Sequence, residues 1–452
     1  MIFYILLNLF TLEKCISWHK CEKVFSDSYR TIKRCDVSRL YFSKAYNIAM
    51  RYEKPCLKEK WGHAFLMDDK YEHVVIDSLE MTAKNIWEYD GDREELLEKL
   101  VDYFYKEGFK PFIEVDAKSI EKDFLKLIDV DPKSTIDKDG SIKNSSRIGL
   151  DICREFCKKS FYSTRVNGTA SILDVYKSKD LLRRVLKNRM GWYTTTEKLV
   201  LEDGTALEGE HPYLFDISHK MVVQGCHSAM VSANVSNFRP VVAKLLMEKF
   251  CKKNGLVLDL SAGWGARLMA AMSLGMDYYG IDPMTASEVN GIALHLTSSQ
   301  KILSKLSTMK DNYSASVFNG VSEDKKSYAS MPRKADYCIV CPPYFKLEEY
   351  QCDGNSTDVY ADYSDWLEKY WRHTVKNARD NLYSRAKFTL IMVEKWGKHR
   401  LLQDMSSIVE QEGFKKVDEM QYKTTRSHLT DKRESKQTSK ATEKVWTFEK
   451  TV

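Results

Sequence analysis

The sequence predicts an α/β fold with a Rossmann-like parallel sheet, preceded by an α-rich N-terminal domain. This prediction starts from a strand, a glycine-rich turn and a helix that follow one another closely. Leu256–Leu260 is an apolar run with one charged residue, Asp259, as is typical of a strand buried on both faces of a parallel sheet. Gly263 and Gly265 allow the backbone to turn sharply after it. Arg267–Leu274 then has helical spacing.

A predicted strand at 278–281 ends at Asp282. An acidic residue about 20 positions after such a turn binds the ribose hydroxyls in dinucleotide folds. The complete order of strand, glycine turn, helix, strand and acidic residue favours a binding site for a nucleoside-containing cofactor over a turn with only a structural role. The turn lacks both the third glycine of G-x-G-x-x-G and the G-x-x-x-x-G-K-[ST] pattern that cradles phosphates. The best remaining candidate is a cofactor with a ribose and no phosphates, namely S-adenosylmethionine.

A second motif follows another predicted strand, 337–340. The segment Cys341–Phe345 reads CPPYF, and its two prolines fix the backbone and withhold donors. Open α/β sheets bind ligands outside the carboxyl ends of their strands. A rigid loop with a flat ring suits a planar amine held against a methyl donor. The alternative is a proline strand terminator followed by a packing aromatic residue.

Together these motifs resemble the amino-methylating nucleic-acid methyltransferases, which carry the glycine loop first and a [D/N/S]-P-P-[Y/F/W] loop second. The string from Ser236–Pro240 (SNFRP) through VLDLSAGWGARL to CPPYFKLEEY looks like a family of phage and bacterial DNA methylases. The resemblance covers about Thr169–Val452. It implies a class I methyltransferase sheet of seven strands and transfer of a methyl group to adenine or cytosine, after the base is rotated out of the helix. No metal is implied.

The resemblance assigns residues to both substrates by position. The residues expected to bind the cofactor are Phe238, Arg239, Asp259, Ser261, Gly263, Trp264, Gly265, Asp282 and Glu323. The residues expected at the target amine are Cys341, Pro342, Pro343, Tyr344 and Phe345. Within the first set, Asp282 would take the ribose hydroxyls and Glu323 would lie near the adenine.

Cys341 departs from the family pattern, whose first loop residue is Asp, Asn or Ser. A thiol is a weak hydrogen-bond acceptor, although the Pro342 carbonyl can still accept. A cysteine nucleophile for carbon-5 methylation is an alternative, but that chemistry normally places proline before the cysteine. Three further interpretations share the motifs: an RNA or tRNA amino methyltransferase, a protein glutamine methylase, and a non-catalytic binding protein with the cofactor fold.

Length and composition indicate a protein of about two or three domains. The chain has 452 residues, 43% of them hydrophobic, and a net charge of +6, which is compatible with DNA as a partner, or with RNA. Eleven cysteines without a pairing framework predict free thiols in a reducing compartment, the cytoplasm or a eukaryotic nucleus. The apolar segment Met1–Phe10 is too short to span a membrane, so we expect neither membrane attachment nor secretion.

The chain divides into three predicted parts: residues 1–165 (α-rich, of unknown role), 166–245 (a bridge that contains Phe238 and Arg239) and 246–452 (the methyltransferase domain). Helices are predicted at Glu94–Lys106, Ser119–Ile128, Arg147–Phe161, 286–305, 363–382 and 398–411. Further strands are predicted at 315–318, 388–393, 415–421 and 445–448. The basic segment Lys423–Lys444 is either a solvated loop or a substrate loop that contacts phosphates.

Overall fold

The computed structural model describes residues 74–82, 85–86, 89–110, 115–143, 146–194, 199–200, 206–207, 212–214, 216–233, 235–310, 312, 314–423 and 442–451. Met1–Phe10 and nearly all of Lys423–Lys444 lie outside these residues. The described chain forms two compact units. One contains the described residues up to Glu107 together with Lys179–Ala229, and the other contains Gly108–Ser178 and the described residues from Met230 onward.

The strands are β1 (Val75–Ile76), β2 (Leu79–Glu80), β3 (Ile142–Lys143), β4 (Arg165–Val166), β5 (Met190–Thr194), β6 (Leu199–Val200), β7 (Ala206–Leu207), β8 (Pro212–Leu214), β9 (Leu256–Asp259), β10 (Asp277–Ile281), β11 (Ala315–Phe318), β12 (Ala335–Val340), β13 (Glu348–Glu349), β14 (Leu382–Val393), β15 (Phe414–Lys423) and β16 (Thr442–Lys450).

The α-helices are α1 (Arg93–Glu107), α2 (Ala117–Asp129), α3 (Leu150–Phe156), α4 (Lys158–Ser163), α5 (Ile172–Tyr176), α6 (Lys179–Arg189), α7 (His219–Ser228), α8 (Pro240–Phe250), α9 (Ala266–Ser273), α10 (Ala286–Ser298), α11 (Gln300–Ser307), α12 (Ser356–Val359), α13 (Tyr363–Asp365), α14 (Arg372–Asp380) and α15 (Leu401–Gln411). Two 3₁₀ helices (Pro132–Thr135, Lys325–Tyr328) and a π-helical segment (Trp366–Trp371) complete the set.

An eight-stranded sheet forms the centre of the second unit, in the order β11-β10-β9-β12-β14-β16-β15-β3. The strands from β11 to β14 are parallel, and β16 is antiparallel to both of its neighbours. This confirms the predicted Rossmann-like sheet of class I methyltransferase type, in which the last two strands form an antiparallel pair. The short strand β3, which is parallel to β15, adds an eighth strand that the sequence did not predict.

The central strands are buried on both faces, as their apolar sequences predict. All residues of strands β9 and β10 are buried. Successive side chains along each strand belong to two different hydrophobic clusters, one on each face of the sheet. Val257 belongs to one cluster, whereas Leu256 and Leu258 belong to the other, because side chains alternate between the faces of a sheet. Helices therefore cover both faces, and the open edge at the strands' carboxyl ends remains for a ligand.

Three predicted helices are interrupted. The first, predicted over Arg147–Phe161, is broken at Cys157, whose φ of −102° and ψ of 31° are not helical. The second, predicted over 286–305, is broken at Ser299, whose hydroxyl caps the following helix through Ile302 N at 3.3 Å. The third, 363–382, contains the π-helical segment, in which Trp366 and Trp371 are fully buried.

The two units differ from the predicted division at residues 165 and 245. Helices α2 and α3 pack into the core of the sheet-containing unit, where Phe124 and Ile152 are fully buried beside Met269. Lys244 ties α8 to the end of α2, because its Nζ donates to the carbonyls of Leu127 and Ile128 at 2.8 and 2.7 Å. In the other unit, α6 joins α1 through ion pairs. Among the described residues, no helix is long and apolar enough to cross a membrane.

Replacing Lys244 with Met should lower the free energy of unfolding by about 3 kcal/mol, because buried carbonyls at the end of α2 would be left without their donor. Urea denaturation measures this change. Lys249→Met is the matched control in the same helix, because its Nζ pairs with Asp418 at a partly exposed position, and it should cost less than about 1 kcal/mol. Equal destabilisation of the two variants would contradict the assignment.

Candidate active site

A cavity of about 530 Å³ lies at the carboxyl ends of the parallel strands, within the sheet-containing unit. Its walls come from the glycine turn after β9, from Asp282 after β10 and from the proline loop after β12. These strands are adjacent in the order β10-β9-β12. The cavity therefore occupies the position where open α/β sheets bind their ligands.

The glycine turn is held by the end of the neighbouring strand. Gly263 has a φ of 55°, a left-handed conformation that favours glycine. Its N–H donates to Asp282 Oδ2 at 2.9 Å, and its carbonyl accepts from the Thr285 hydroxyl at 2.6 Å. The other oxygen of Asp282 accepts from the N–H groups of Met284 and Thr285. Asp282 lines the cavity and at the same time fixes the turn.

Gly265 does not line the cavity, contrary to its predicted contact with the cofactor. It has a φ of 81° and precedes α9. A β-carbon on Gly265 would lie 2.6 Å from Ile292 Cδ1, so the residue is required for the packing of α10 against the turn. Ser261, Gly263 and Trp264, the neighbouring residues of the predicted cofactor set, do line the cavity.

Asp259 is also absent from the cavity wall, because it is fully buried beneath the turn. It accepts from Arg267 Nε and from the Tyr278 hydroxyl, each at 2.6 Å. Arg267, which does line the cavity, also donates to the Ser261 carbonyl, and its guanidinium lies 5.5 Å from the Phe238 ring centroid. The sequence analysis missed Arg267 as a site residue. The available signal was an opposite charge eight residues after Asp259, across the turn.

The proline loop contributes Cys341, Pro342, Pro343 and Tyr344 to the cavity wall. The Ser261 hydroxyl donates to the Cys341 carbonyl at 3.0 Å, which ties this loop to the glycine turn. Burial raises the pKa of the Cys341 thiol, so the thiol stays protonated at neutral pH and is a poor nucleophile.

Phe345, predicted at the target amine, does not line the cavity. It is 5% exposed and packs against Tyr363, Trp366 and His399, with ring centroids 5.2, 5.6 and 5.4 Å away. The residue fixes the outer end of the proline loop in the hydrophobic core, because its side chain points into an aromatic cluster.

Three glutamates line the cavity in addition to Asp282. Burial raises the pKa of the predicted residue Glu323 to about 7. The sequence analysis missed the other two, Glu348 and Glu443. Tyr344 donates its hydroxyl to Glu443 Oε1 at 2.9 Å, and Tyr350 donates to Glu348. Burial raises the pKa of Glu443 to about 7, with a further contribution from the charge of Glu348.

Arginines form another part of the wall: Arg147, Arg154 and Arg239 line the same cavity. Burial lowers the pKa of Arg239, and the charges of Arg154 and Arg147 act in the same direction. Within the described part of the chain, Arg154 Nε and Trp264 Nε1 are buried without an acceptor. Buried donors without partners are rare in folded proteins, and these two point to a ligand that supplies acceptor atoms.

The described residues contain no group of three or more His, Cys, Asp or Glu side chains arranged to hold a metal ion.

The chain matches no protein-family model and no curated protein sequence. Solved structures that resemble it are methyltransferases. A methyltransferase from Pyrococcus furiosus has 12% identity and a TM-score of 0.28, covering 47% of this chain and 83% of its own. A putative RNA methyltransferase from Pyrococcus horikoshii has 15% identity, the same score and the same coverages. TrmN from Thermus thermophilus has 15% identity and a TM-score of 0.29, covering 54% and 70%. At these identities and TM-scores, the similarities are too weak to assign an activity or a fold. The fold assignment therefore rests on the strand order of the sheet.

Replacing Arg267 with Leu should lower the free energy of unfolding by about 3–5 kcal/mol, because the fully buried Asp259 carboxyl group would lose its ion-pair partner. Tyr278→Phe is the matched control, since it removes a neutral donor from the same carboxylate and should cost only about 1 kcal/mol. Urea denaturation of both variants measures the difference. An Arg267→Leu protein as stable as the wild type would contradict the role given to this pair.

Proposed function

We propose that this protein is an S-adenosylmethionine-dependent methyltransferase that methylates an exocyclic amine of a DNA base. One observation carries the proposal. The glycine turn, the acidic residue after the next strand and the proline loop line a single cavity at the ends of three adjacent parallel strands. The two loops come together although Ser261 and Cys341 are 80 residues apart in the chain.

The residues present fit the cofactor. The volume falls within the range of small-molecule sites, about 300–1,000 Å³. Asp282 and Glu323 offer acceptors for ribose hydroxyls and an adenine amine, and Trp264 Nε1 offers a donor for a carboxylate. When bound, S-adenosylmethionine supplies an activated methyl group. Because the donor is already activated, these residues need only hold and orient it, and positioning provides most of the catalysis.

The acceptor side of the cavity suits a planar amine. Pro342 and Pro343 fix the backbone, and Tyr344 presents an aromatic wall beside them. A base stacked in a duplex cannot reach this recess, so it would be rotated out of the helix. Arg147, Arg154 and Arg239 would contact phosphates, which position the substrate without reading its sequence.

The alternative functions would use different residues of the cavity. An RNA or tRNA amino methyltransferase would use every residue named above. A protein glutamine methylase would have no use for Arg147, Arg154 and Arg239 in the cavity wall. The raised pKa of the Cys341 thiol argues against carbon-5 methylation through a thiolate. A non-catalytic binding protein would hold the cofactor and transfer nothing.

The direct test is transfer of a labelled methyl group from S-adenosylmethionine to duplex DNA, single-stranded DNA, RNA and protein, assayed side by side. We expect label in DNA, on an exocyclic nitrogen. Label found only in RNA, or only in protein, would show that this molecule and not DNA is the substrate. Cofactor binding without transfer to any acceptor would identify a binding protein.

Asp282→Ala should lower the affinity for S-adenosylmethionine at least about tenfold, because one charge-assisted hydrogen bond is worth about 1.5–3 kcal/mol. Titration calorimetry measures this affinity, and circular dichroism checks the fold. Asp353→Ala is the control, because Asp353 is an exposed acidic residue outside the cavity wall. Unchanged affinity in Asp282→Ala would contradict the cofactor site.

Replacing Arg147 and Arg154 together with Gln should weaken DNA binding and flatten its salt dependence. The logarithmic slope should fall by about 0.9 for each phosphate that the variant no longer neutralises. Binding measured across a salt series gives this slope. Lys325→Gln removes an exposed charge outside the cavity and should leave the slope unchanged. The same slope in wild type and double variant would argue against phosphate binding at this wall.

A further inference from the structure

The proline loop begins with a residue that cannot perform the function expected of that position. An amine-methylating site needs an acceptor that orients the target amine and a group that takes up its surplus proton. The Cys341 thiol is a weak acceptor, and the Cys341 carbonyl already accepts from the Ser261 hydroxyl. The Pro342 carbonyl can still accept a hydrogen bond from the amine, but it is too weak a base to take up the proton, so the proton acceptor should come from another element of the cavity wall.

We propose that Glu443 orients the target amine and takes up its proton, in the place of the loop side chain. This inference rests on the proposed function and assigns a catalytic residue to it. Glu443 lines the cavity together with Cys341 and Tyr344. It is positioned by the loop itself, because the Tyr344 hydroxyl donates to Glu443 Oε1 at 2.9 Å.

Glu443 reaches the cavity from the start of a strand, whereas the parallel strands of the site contribute residues that follow their ends. Strand β16 runs antiparallel to its neighbours, so its first residues lie beside the last residues of β14 and β15. Glu443 is the register partner of Val393 and of Tyr422, and Tyr422 also lines the cavity. A carboxylate at the start of this strand therefore faces the same site as the residues at the ends of the parallel strands.

Glu443 has acceptor capacity to spare. A carboxylate offers about four lone-pair sites, and Tyr344 is the donor that the described chain provides. Among the charged neighbours of the Cys341 thiol, Glu443 has the strongest influence on its pKa. The carboxylate therefore lies close to the position where the family would place its acceptor.

The surroundings of Glu443 tune its proton affinity. Tyr344 and Cys341 face it from the proline loop, Glu348 approaches after that loop, and Tyr422 faces it from β15. Burial raises the pKa of Glu443 to about 7, and the charge of Glu348 acts in the same direction. Two neighbouring carboxylates disfavour simultaneous ionisation, so a general base with this pKa is matched to neutral pH.

In the proposed step, the bond that forms is matched by one that breaks, and the proton that is released has an acceptor. The amine nitrogen uses its lone pair to form the nitrogen–carbon bond, while the carbon–sulfur bond of the sulfonium breaks and its electron pair stays on sulfur. The nitrogen is left with a positive charge and a surplus proton. The Glu443 carboxylate accepts this proton, becomes a neutral carboxyl group and later returns the proton to water.

The test compares Glu443→Gln with wild type, because glutamine keeps the volume and can still accept from Tyr344. Single-turnover transfer of labelled methyl groups to duplex DNA is measured from about pH 5.5 to about pH 8.5. We expect the wild-type rate to rise with pH through about 7, as the carboxyl group ionises. In Glu443→Gln the rate should fall about 100-fold and no longer depend on pH in this range, and Glu443→Asp should recover part of it.

Two controls separate this role from a structural one. Glu449→Gln changes another glutamate of β16, whose carboxylate pairs with Lys387 away from the cavity, and it should keep the wild-type rate and pH profile. Calorimetry with S-adenosylmethionine should give affinities within about twofold for all variants. Carbon-13 spectra of labelled glutamate should contain a carboxyl resonance that titrates near pH 7 in wild type and is missing in Glu443→Gln.

The outcomes distinguish this inference from the proposed function. If wild type transfers methyl groups and Glu443→Gln keeps the wild-type rate and pH profile, the role of Glu443 is overturned and the methyltransferase stands. If Cys341→Ala abolishes transfer while Glu443→Gln does not, the loop residue is the acceptor after all. If wild type binds the cofactor and transfers nothing, the proposed function fails, and the role of Glu443 fails with it.

Discussion

Two hydrogen bonds hold the walls of the site together, and the arrangement of its residues depends on them. Gly263 N–H donates to Asp282, and the Ser261 hydroxyl donates to the Cys341 carbonyl. They bind the turn after β9 to the ends of the strands on either side. Because the three strands are parallel and adjacent, their carboxyl ends meet at one edge of the sheet. The two hydrogen bonds fix the positions of the loops that follow these strands, and these loops form the wall of the cavity. Arg267 supports the same turn from below through its buried pair with Asp259.

The charges in the cavity are arranged by element. Carboxylates come from the segments after β10, β11 and β12 and from the start of β16, whereas the arginines Arg147, Arg154 and Arg239 precede the parallel sheet in the chain. Buried charges are costly unless they are paired. Burial accordingly raises the pKa of Glu323 and of Glu443 to about 7. Such perturbed groups are typical of functional sites.

Much of the architecture could be predicted from sequence, because it depends on local pattern. The apolar strands, the left-handed glycine at 263 and the acidic residue Asp282 follow from periodicity and backbone geometry. The failures have physical causes as well. Asp259 and Gly265 belong to the turn's motif, yet one neutralises an arginine and the other makes room for Ile292. Phe345 follows the proline loop but enters an aromatic cluster that only the tertiary fold creates.

Glu443 was out of reach for sequence reasoning. It lies in Lys423–Lys444, a segment that the sequence marks only by its basic composition, and it joins the site because β16 runs antiparallel to the strands on both sides of it. Arg147 and Arg154 were missed for a related reason: both were assigned to a separate N-terminal domain, whereas α3 packs into the core beside the sheet. Residues contributed by long-range packing or by a reversed strand leave no local signal.

The measurement that tests the central claim most directly is mass spectrometry of nucleosides from the DNA of cells that produce the protein. The account predicts a base methylated on its exocyclic nitrogen, N6-methyladenine or N4-methylcytosine, that is missing from cells producing the Asp282→Ala variant. Unmodified DNA in both cultures, or methylation at carbon 5 of cytosine, would contradict it.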